Sequence, residues 1–119
     1  MKGSLYLNGL VSAEGVIFPK YIEGNLALNG LISSKGLELP EIIEGSIFLR
    51  SLIDIDELIL PKKIWDIHFS NLKDLSKLVL PSDFECNYIR IKNRYIKPKD
   101  FYKYQKQDLV EESQSKGKK

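Results

Sequence analysis

Residues with reactive side chains are sparse in this chain of 119 residues, which holds one histidine, His68, and one cysteine, Cys86. His68 has the side chain of a general base, yet no second histidine and no serine in a nucleophile motif accompanies it. Asp54 and Asp56 can share a cation, but they lack the ligand spacing of a calcium loop and fit a solvated turn better. Cys86 is expected to be a small buried thiol. These residues predict a protein that is not an enzyme and that has no metal site and no cofactor.

Aromatic and basic residues recur at one position of a sequence repeat and continue at the position two residues further on. The first column holds Tyr6, Ala27, Phe48, His68 and Arg90, and the second holds Asn8, Asn29, Arg50, Ser70 and Lys92. Exposed aromatic residues beside arginine are typical of protein–protein hot spots, although aromatic residues also simply suit strands. Trp65 either fills a gap in a short repeat or protrudes as an anchor. The predicted partner-binding residues are Tyr6, Phe48, His68, Arg90, Arg50, Lys92 and Trp65.

A basic stretch follows residue 86. Residues 1–86 hold 8 Lys/Arg against 12 Asp/Glu, a net charge of −4, whereas residues 87–119 hold 10 against 4, a net charge of +6. Such asymmetry indicates either an arm for nucleic acid or an acidic partner, or a solvated tail that keeps the protein soluble. In the first case Tyr88 or Tyr95 would stack on a base. The phosphate-contacting residues would be Arg90, Lys92, Arg94, Lys97 and Lys99.

The elements that must position these residues come from an internal repeat. Units begin at about residues 3, 24, 45, 65 and 87, and Pro19, Pro40, Pro61 and Pro81 recur at spacings of 21, 21 and 20. Six columns are apolar in each of the first four units, and we predict that they form the core. They are Leu5/Leu26/Ile47/Ile67, Leu7/Leu28/Leu49/Phe69, Leu10/Leu31/Leu52/Leu72, Val16/Leu37/Leu58/Leu78, Phe18/Leu39/Leu60/Leu80 and Ile22/Ile43/Ile64/Phe84.

Each unit contains two short segments with the alternation of a strand, such as Leu5–Leu7 and Val16–Phe18. Asn8-Gly9 and Gly15 supply turn chemistry between them, and the proline ends the second strand because it cannot donate to a ladder. One coil is too thin to bury its own apolar face, so the coils must stack. The sequence predicts an all-β-dominated repeat protein, a short parallel β-solenoid of four to five coils. The outward column of the second strand, Ile17, Glu38, Ile59 and Val79, is unusually apolar.

The two ends of the predicted solenoid differ. The solenoid is expected to span residues 1–97, and Pro98 marks the start of a capping amphipathic helix over residues 98–113. Residues 114–119 are expected to be a disordered tail. At the other end the repeat starts at Gly3 with nothing before it, which predicts an uncapped edge that can pair with a second copy.

The repeat unit resembles leucine-rich repeats over residues 3–86. The closest resemblance is to a bacterial type in which Leu-Pro precedes a hydrophobic residue, as Leu39 and Pro40 precede Ile43. The consensus asparagine is absent, and the second strand is as apolar as the first, which favours a two-strand β-solenoid. Proteins of this kind are mostly interaction scaffolds in bacteria and their phages, so the resemblance implies binding and not chemistry.

Composition completes the expectation. The chain is 43% apolar and 29% charged, no apolar run approaches the length of a membrane span, and a single cysteine excludes an intrachain disulfide. We therefore expect a cytoplasmic, non-enzymatic protein that binds and blocks another protein, such as a phage or bacterial inhibitor or counter-defence factor. The alternatives are a nucleic-acid-binding protein that uses residues 88–106, and a self-associating repeat module.

Overall fold

A computed structural model of the chain describes residues 1–55, 58–72 and 75–105, and its backbone winds into stacked coils. The strands in chain order are β1 Leu5–Tyr6, β2 Tyr21–Ile22, β3 Leu26–Ala27, β4 Ile42–Ile43, β5 Ser46–Leu49, β6 Leu58–Ile59, β7 Asp66–Phe69, β8 Leu78–Val79, β9 Tyr88–Ile91 and β10 Arg94–Ile96. Equivalent residues of the first three coils pair 21 positions apart, as Leu5 with Leu26 and Leu26 with Ile47. The predicted β-solenoid is confirmed.

Four ladders run along the stack, and each defines one side of the coil. Side A is the six-stranded sheet β1-β3-β5-β7-β9-β10, in which all pairs are parallel except β9 with β10. Side B is the bridge between Ser33 and Asp54, and side C is the pair β6-β8. Side D is the pair β2-β4, which continues through bridges at Lys63 and Glu85.

The core lies where the six apolar columns predict it. Every one of the 24 column positions is buried or half-buried. In the second and third coils the side-A columns are fully inaccessible, with Leu26, Leu28, Ile47 and Leu49 at 0% exposure. Stacking therefore buries what a single coil cannot, and this burial is the main stabilising contribution.

The strands within each coil differ in part from the two that the sequence predicts. Side D forms directly after the prolines, in residues that the sequence pattern left without a strand. Residues 16–18 and 37–39 are not strands, and each of these segments follows a glycine at positive φ, Gly15 at 80° and Gly36 at 77°. On side C, pairing within the described ranges joins only the third and fourth coils, through β6 and β8.

The last coil turns back on itself and is then covered. β9 pairs in parallel with β7, and β10 returns antiparallel to β9 through a turn at Lys92, whose φ is 56°. A 3₁₀ turn, Pro98–Asp100, leads into helix α1, Phe101–Gln105. Phe101 is fully buried, and the side-chain Nε2 of Gln105 donates to the Leu75 and Leu78 carbonyls at 3.1 Å each. The start of the predicted helix is thus confirmed, whereas residues 106–113 and the predicted tail 114–119 lie outside the described residues.

The first coil includes Met1, which precedes the predicted start of the repeat at Gly3. The Met1 amino group donates to the Tyr21 carbonyl at 2.7 Å, and the Glu23 amide donates to the Met1 carbonyl at 2.9 Å. Met1 therefore occupies the position on side D that Ile22 holds one coil later. None of the helices in the described part of the chain has the length and apolar content needed to cross a membrane.

Candidate partner-binding surface

Three of the predicted binding residues meet on side A. Parallel pairing sets Phe48 opposite His68 and His68 opposite Arg90, on the outward face of β5, β7 and β9. Tyr6 shares this column but lies at the far end, because Ala27 separates it from Phe48 and is itself buried. The structure thus divides the predicted ladder into a cluster of three and an isolated tyrosine that is 62% exposed.

Phe48 is the centre of a stack. Its ring lies 4.8 Å from the His68 ring at an interplanar angle of 30°, and the Arg50 guanidinium carbon lies 4.7 Å from the centre of the same ring. In-register neighbours on adjacent strands are about 4.8 Å apart, which is the spacing at which flat side chains stack. Cation–π attraction holds the guanidinium against the ring.

A second stack forms on the β9–β10 hairpin. Tyr95 pairs with Arg90 across the hairpin, and the Arg90 guanidinium carbon lies 5.2 Å from the Tyr95 ring centre. The Tyr88 and Tyr95 rings meet edge to face at 4.9 Å. The Arg90 Nε donates to the Lys92 carbonyl at 3.2 Å, which fixes the guanidinium close to the turn. The sequence predicts Tyr95 only as one of two residues for stacking on a base. It does not predict the contact with Arg90, because the repeat pattern ends at Ile91.

Asp66 is the site residue that the sequence analysis missed. It lies two residues before His68 on the same face of β7, and its Oδ2 is 3.3 Å from His68 Nε2. Asp66 is only 4% exposed, and its Oδ1 is buried without a hydrogen-bond partner. The signal was available as a carboxylate at position i−2 from a histidine in a strand.

His68 is uncharged at neutral pH. Burial lowers its pKa below the ordinary value of 6.5, and the nearby Arg50 and Arg90 act in the same direction, outweighing the opposing effect of Asp66. A neutral imidazole whose Nε2–H donates to Asp66 Oδ2 fits this geometry. Burial, and then the hydrogen bond to Asp66, raise the pKa of Tyr88, so this phenol also stays uncharged.

The asparagine column that borders side A has a structural role. Asn8 Oδ1 accepts a hydrogen bond from the Asn29 amide at 3.0 Å, and Asn29 Oδ1 accepts one from the Arg50 amide at 3.1 Å. Ser4 and Asn25 do the same at the start of the strands, where Asn25 Oδ1 accepts from the Ser46 amide at 2.8 Å. These side chains join one coil to the next.

Trp65 protrudes from the coil and therefore does not fill a gap in the shorter repeat. It is 58% exposed and lies at the corner between sides D and A, beside a shallow hollow of about 390 Å³ that Phe84, Cys86 and Pro98 also line. It is therefore near the side-A cluster in sequence but is not part of its stacks.

The remaining predicted residues are arranged around the hairpin and the cap. Lys92 is exposed at the turn, Arg94 is half-buried on β10, and Lys97 and Lys99 are exposed at the start of the 3₁₀ turn. Cys86, predicted to be buried, is half-buried; its Sγ donates to the Tyr88 carbonyl at 3.2 Å, and burial raises its pKa to about 12, which disfavours the thiolate. Among the described residues no three His, Cys, Asp or Glu side chains converge as metal ligands; Asp54 lies in the side-B bridge, and Asp56 is outside the described range.

A second exposed surface is apolar. The side-C column predicted to point outward does so, with Ile17, Ile59 and Val79 exposed, and side B exposes Val11, Ile32 and Ile53. A groove of about 540 Å³ crosses side C between Leu39, Pro40, Ile59 and Pro61. The side-B column was not predicted, because residues 11, 32 and 53 fall between the two strands read from the sequence.

No protein-family model matches the chain, and neither a curated protein nor a solved structure is significantly similar to it.

Proposed function

We propose that the chain is a non-enzymatic binding module that recognises another protein through side A. The observation that carries the proposal is the pair of stacks on one face, Arg50 on Phe48 with His68, and Arg90 on Tyr95. Aromatic residues and arginine dominate interface energetics, and rigid stacking lowers the entropy cost of ordering long side chains on binding. Flat, repetitive sheet faces also suit macromolecules better than small ligands.

The type of binding protein and its mode of action are part of the same proposal. The leucine-rich-repeat resemblance supports an interaction scaffold of bacterial or phage type. The small size of the chain supports action by blocking or bridging a partner, as an inhibitor or counter-defence factor in the cytoplasm.

A pull-down from the lysate of the source cell tests the proposal, run at about 0.15 M salt with and without nuclease. The bait is compared with a side-A variant, Phe48→Ser with Arg90→Gln, and with a matched side-C variant, Ile59→Ser with Lys77→Gln. We expect a stoichiometric protein that survives nuclease, is lost with the side-A variant and is kept with the side-C variant. Thermal melts confirm that the variants fold, and Arg90→Gln alone serves if the double variant does not.

Nucleic-acid binding is the second candidate. The observation that favours it is the exposed Tyr95 ring, beside the Arg90 guanidinium and the basic residues Lys92, Lys97 and Lys99. Under this reading the bound material disappears with nuclease, and affinity falls steeply as salt rises.

Self-association is the third candidate. Leu5, Leu7 and Phe18 are only half-buried in the first coil, although their columns are more deeply covered further along the stack. A second copy that pairs with β1 would cover them. Sedimentation showing a monomer at all concentrations would remove this reading.

A further inference from the structure

We infer that the partner presents an acidic segment to side A, with two carboxylates that flank an apolar residue. This inference rests on the proposed function and adds the chemistry of the partner.

The two stacked arginines are preorganised for carboxylates. The Arg50 guanidinium lies over the Phe48 ring and the Arg90 guanidinium over the Tyr95 ring. Contact with a ring face engages none of the guanidinium N–H groups in a hydrogen bond, so they can donate to a ligand. Arg90 uses its Nε on the Lys92 carbonyl, which leaves both terminal nitrogens. Within the described ranges no carboxylate forms an ion pair with either arginine. Bidentate guanidinium–carboxylate pairs are strong and directional, so an acidic partner gains the most from this arrangement.

The rest of side A carries almost no competing negative charge. Its outward columns contain three cations, Arg50, Arg90 and Lys92, and the sole carboxylate in those columns is Asp66. Asp66 is buried and is engaged by His68. The face therefore presents positive charge outward, and a carboxylate brought to it meets no exposed acid from the described columns.

The space between the arginines is aromatic and uncharged. Phe48 and the neutral His68 stack in the middle of the face, so a hydrophobic side chain of the partner finds an apolar contact there. A nucleic acid backbone gains most from a continuous row of cations. Side A instead interrupts its cations with a neutral pair, and this favours a peptide.

The strand geometry sets the spacing of the partner's carboxylates. Arg50 follows β5 and Arg90 lies on β9, two ladder steps and two residues apart, which separates their backbone positions by roughly 10–12 Å. An extended peptide covers that distance in about three to four residues. The partner motif is thus an acid, two or three residues that include an apolar one, and a second acid.

Selection from a random dodecapeptide display library on the full chain tests this inference. A random single-stranded oligonucleotide pool is selected in parallel. Selected peptides are then titrated against the wild type, against Arg50→Gln with Arg90→Gln, and against Arg50→Lys with Arg90→Lys. The matched control is Lys20→Gln with Lys77→Gln, which removes the same charge from exposed positions away from side A.

We expect peptides enriched in paired Asp or Glu around an apolar residue, with affinity reduced at least about 20-fold by the glutamine pair and unchanged by the control. The lysine pair should lose part of the affinity, because it keeps the charge but not the planar fork. Enriched peptides without acidic residues that lose their affinity for a further variant, Phe48→Ser, would overturn the inference and leave the proposed function standing. Selection of oligonucleotides alone, or of nothing, would overturn both.

Discussion

At the scale of single residues, the pair of His68 and Asp66 decides how the binding face responds to pH. The folded chain holds the pKa of His68 below its ordinary value of 6.5, so the folded state binds a proton less readily than the unfolded state. The contribution of neutral His68 to the free energy of unfolding is therefore fully present above about pH 6.5, and it is lost as the pH falls through the folded pKa. The same proton would place a third positive charge between Arg50 and Arg90.

Replacement of His68 should remove that pH dependence. When the pH is lowered from 7.5 to 5.5, we expect the urea midpoint of the wild type to decrease relative to that of His68→Gln. The glutamine side chain cannot titrate in this range. Urea titrations followed by circular dichroism at both pH values provide the measurement. Parallel curves for the two proteins would show that His68 titrates normally.

Cys86 should resist thiol reagents until the chain unfolds. With a pKa of about 12 against an ordinary 9.0, its thiolate fraction at pH 8 is lower by about 1,000-fold than that of an exposed cysteine. We expect labelling by a chromogenic disulfide in native buffer to be slower by about that factor than in denaturant. Equal rates would place the thiol in solvent.

At the scale of elements, the ladders are joined by side chains as well as by the backbone. Asn25 Oδ1 accepts a hydrogen bond from the backbone amide of Ser46 in the next coil, at the start of β5. Asn25→Ala leaves that partly buried donor unpaired and should cost about 1 kcal/mol, or roughly 4 °C in the melting temperature. Asn71→Ala, at an exposed position, is the control and should change the free energy of unfolding by less than about 0.5 kcal/mol. Equal effects would contradict the role of the asparagine ladder.

The repeat predicts some elements of the fold and not others, because its period specifies only which residues point inward and which residues pair. The six apolar columns predicted the inward positions, and they also placed Phe48, His68 and Arg90 in one outward column, because register follows from the repeat. Side D was not predicted, because the residues after each proline, such as Glu41-Ile42-Ile43-Glu44, lack the alternation of a strand and follow a residue that was expected to end one. The contact of Arg90 with Tyr95 depends on an antiparallel hairpin that begins where the repeat ends, so no period predicts it.

At the candidate site, the burial of Asp66 is likewise a feature that the repeat does not predict. Its sequence position is that of an outward residue, and it is Tyr88 of the next strand and His68 of its own that engage it. The same holds for Asn8 and Asn29, whose positions in an outward column did not predict that their side chains join one coil to the next. Side-chain contacts between outward columns depend on rotamers, which the repeat does not specify.

At the scale of the whole molecule, the stack itself can be tested with two glycines at one repeat position. A Cβ on Gly30 would clash with the Asn8 carbonyl oxygen and lie 2.9 Å from that of Leu10, both in the preceding coil, whereas a Cβ on Gly9 meets nothing within 4 Å. Gly30→Ala should destabilise the chain by about 2 kcal/mol or more, and Gly9→Ala by less than about 0.5 kcal/mol. Chemical denaturation of the two variants gives the comparison, and equal losses would argue against coils stacked in this register.

The central claim, that side A is the face that binds another protein, is tested most directly by photocrosslinking in the source cell. A benzophenone amino acid replaces Tyr6 or Tyr95 on side A, Ile59 on side C, or Tyr21 on side D, all of which are exposed. The account predicts a covalent adduct with the same protein from the side-A positions, strongest at Tyr95 beside Arg90, and little or none from Ile59 and Tyr21. Protein adducts from Ile59 or Tyr21 but not from side A, or adducts with nucleic acid alone, would contradict it.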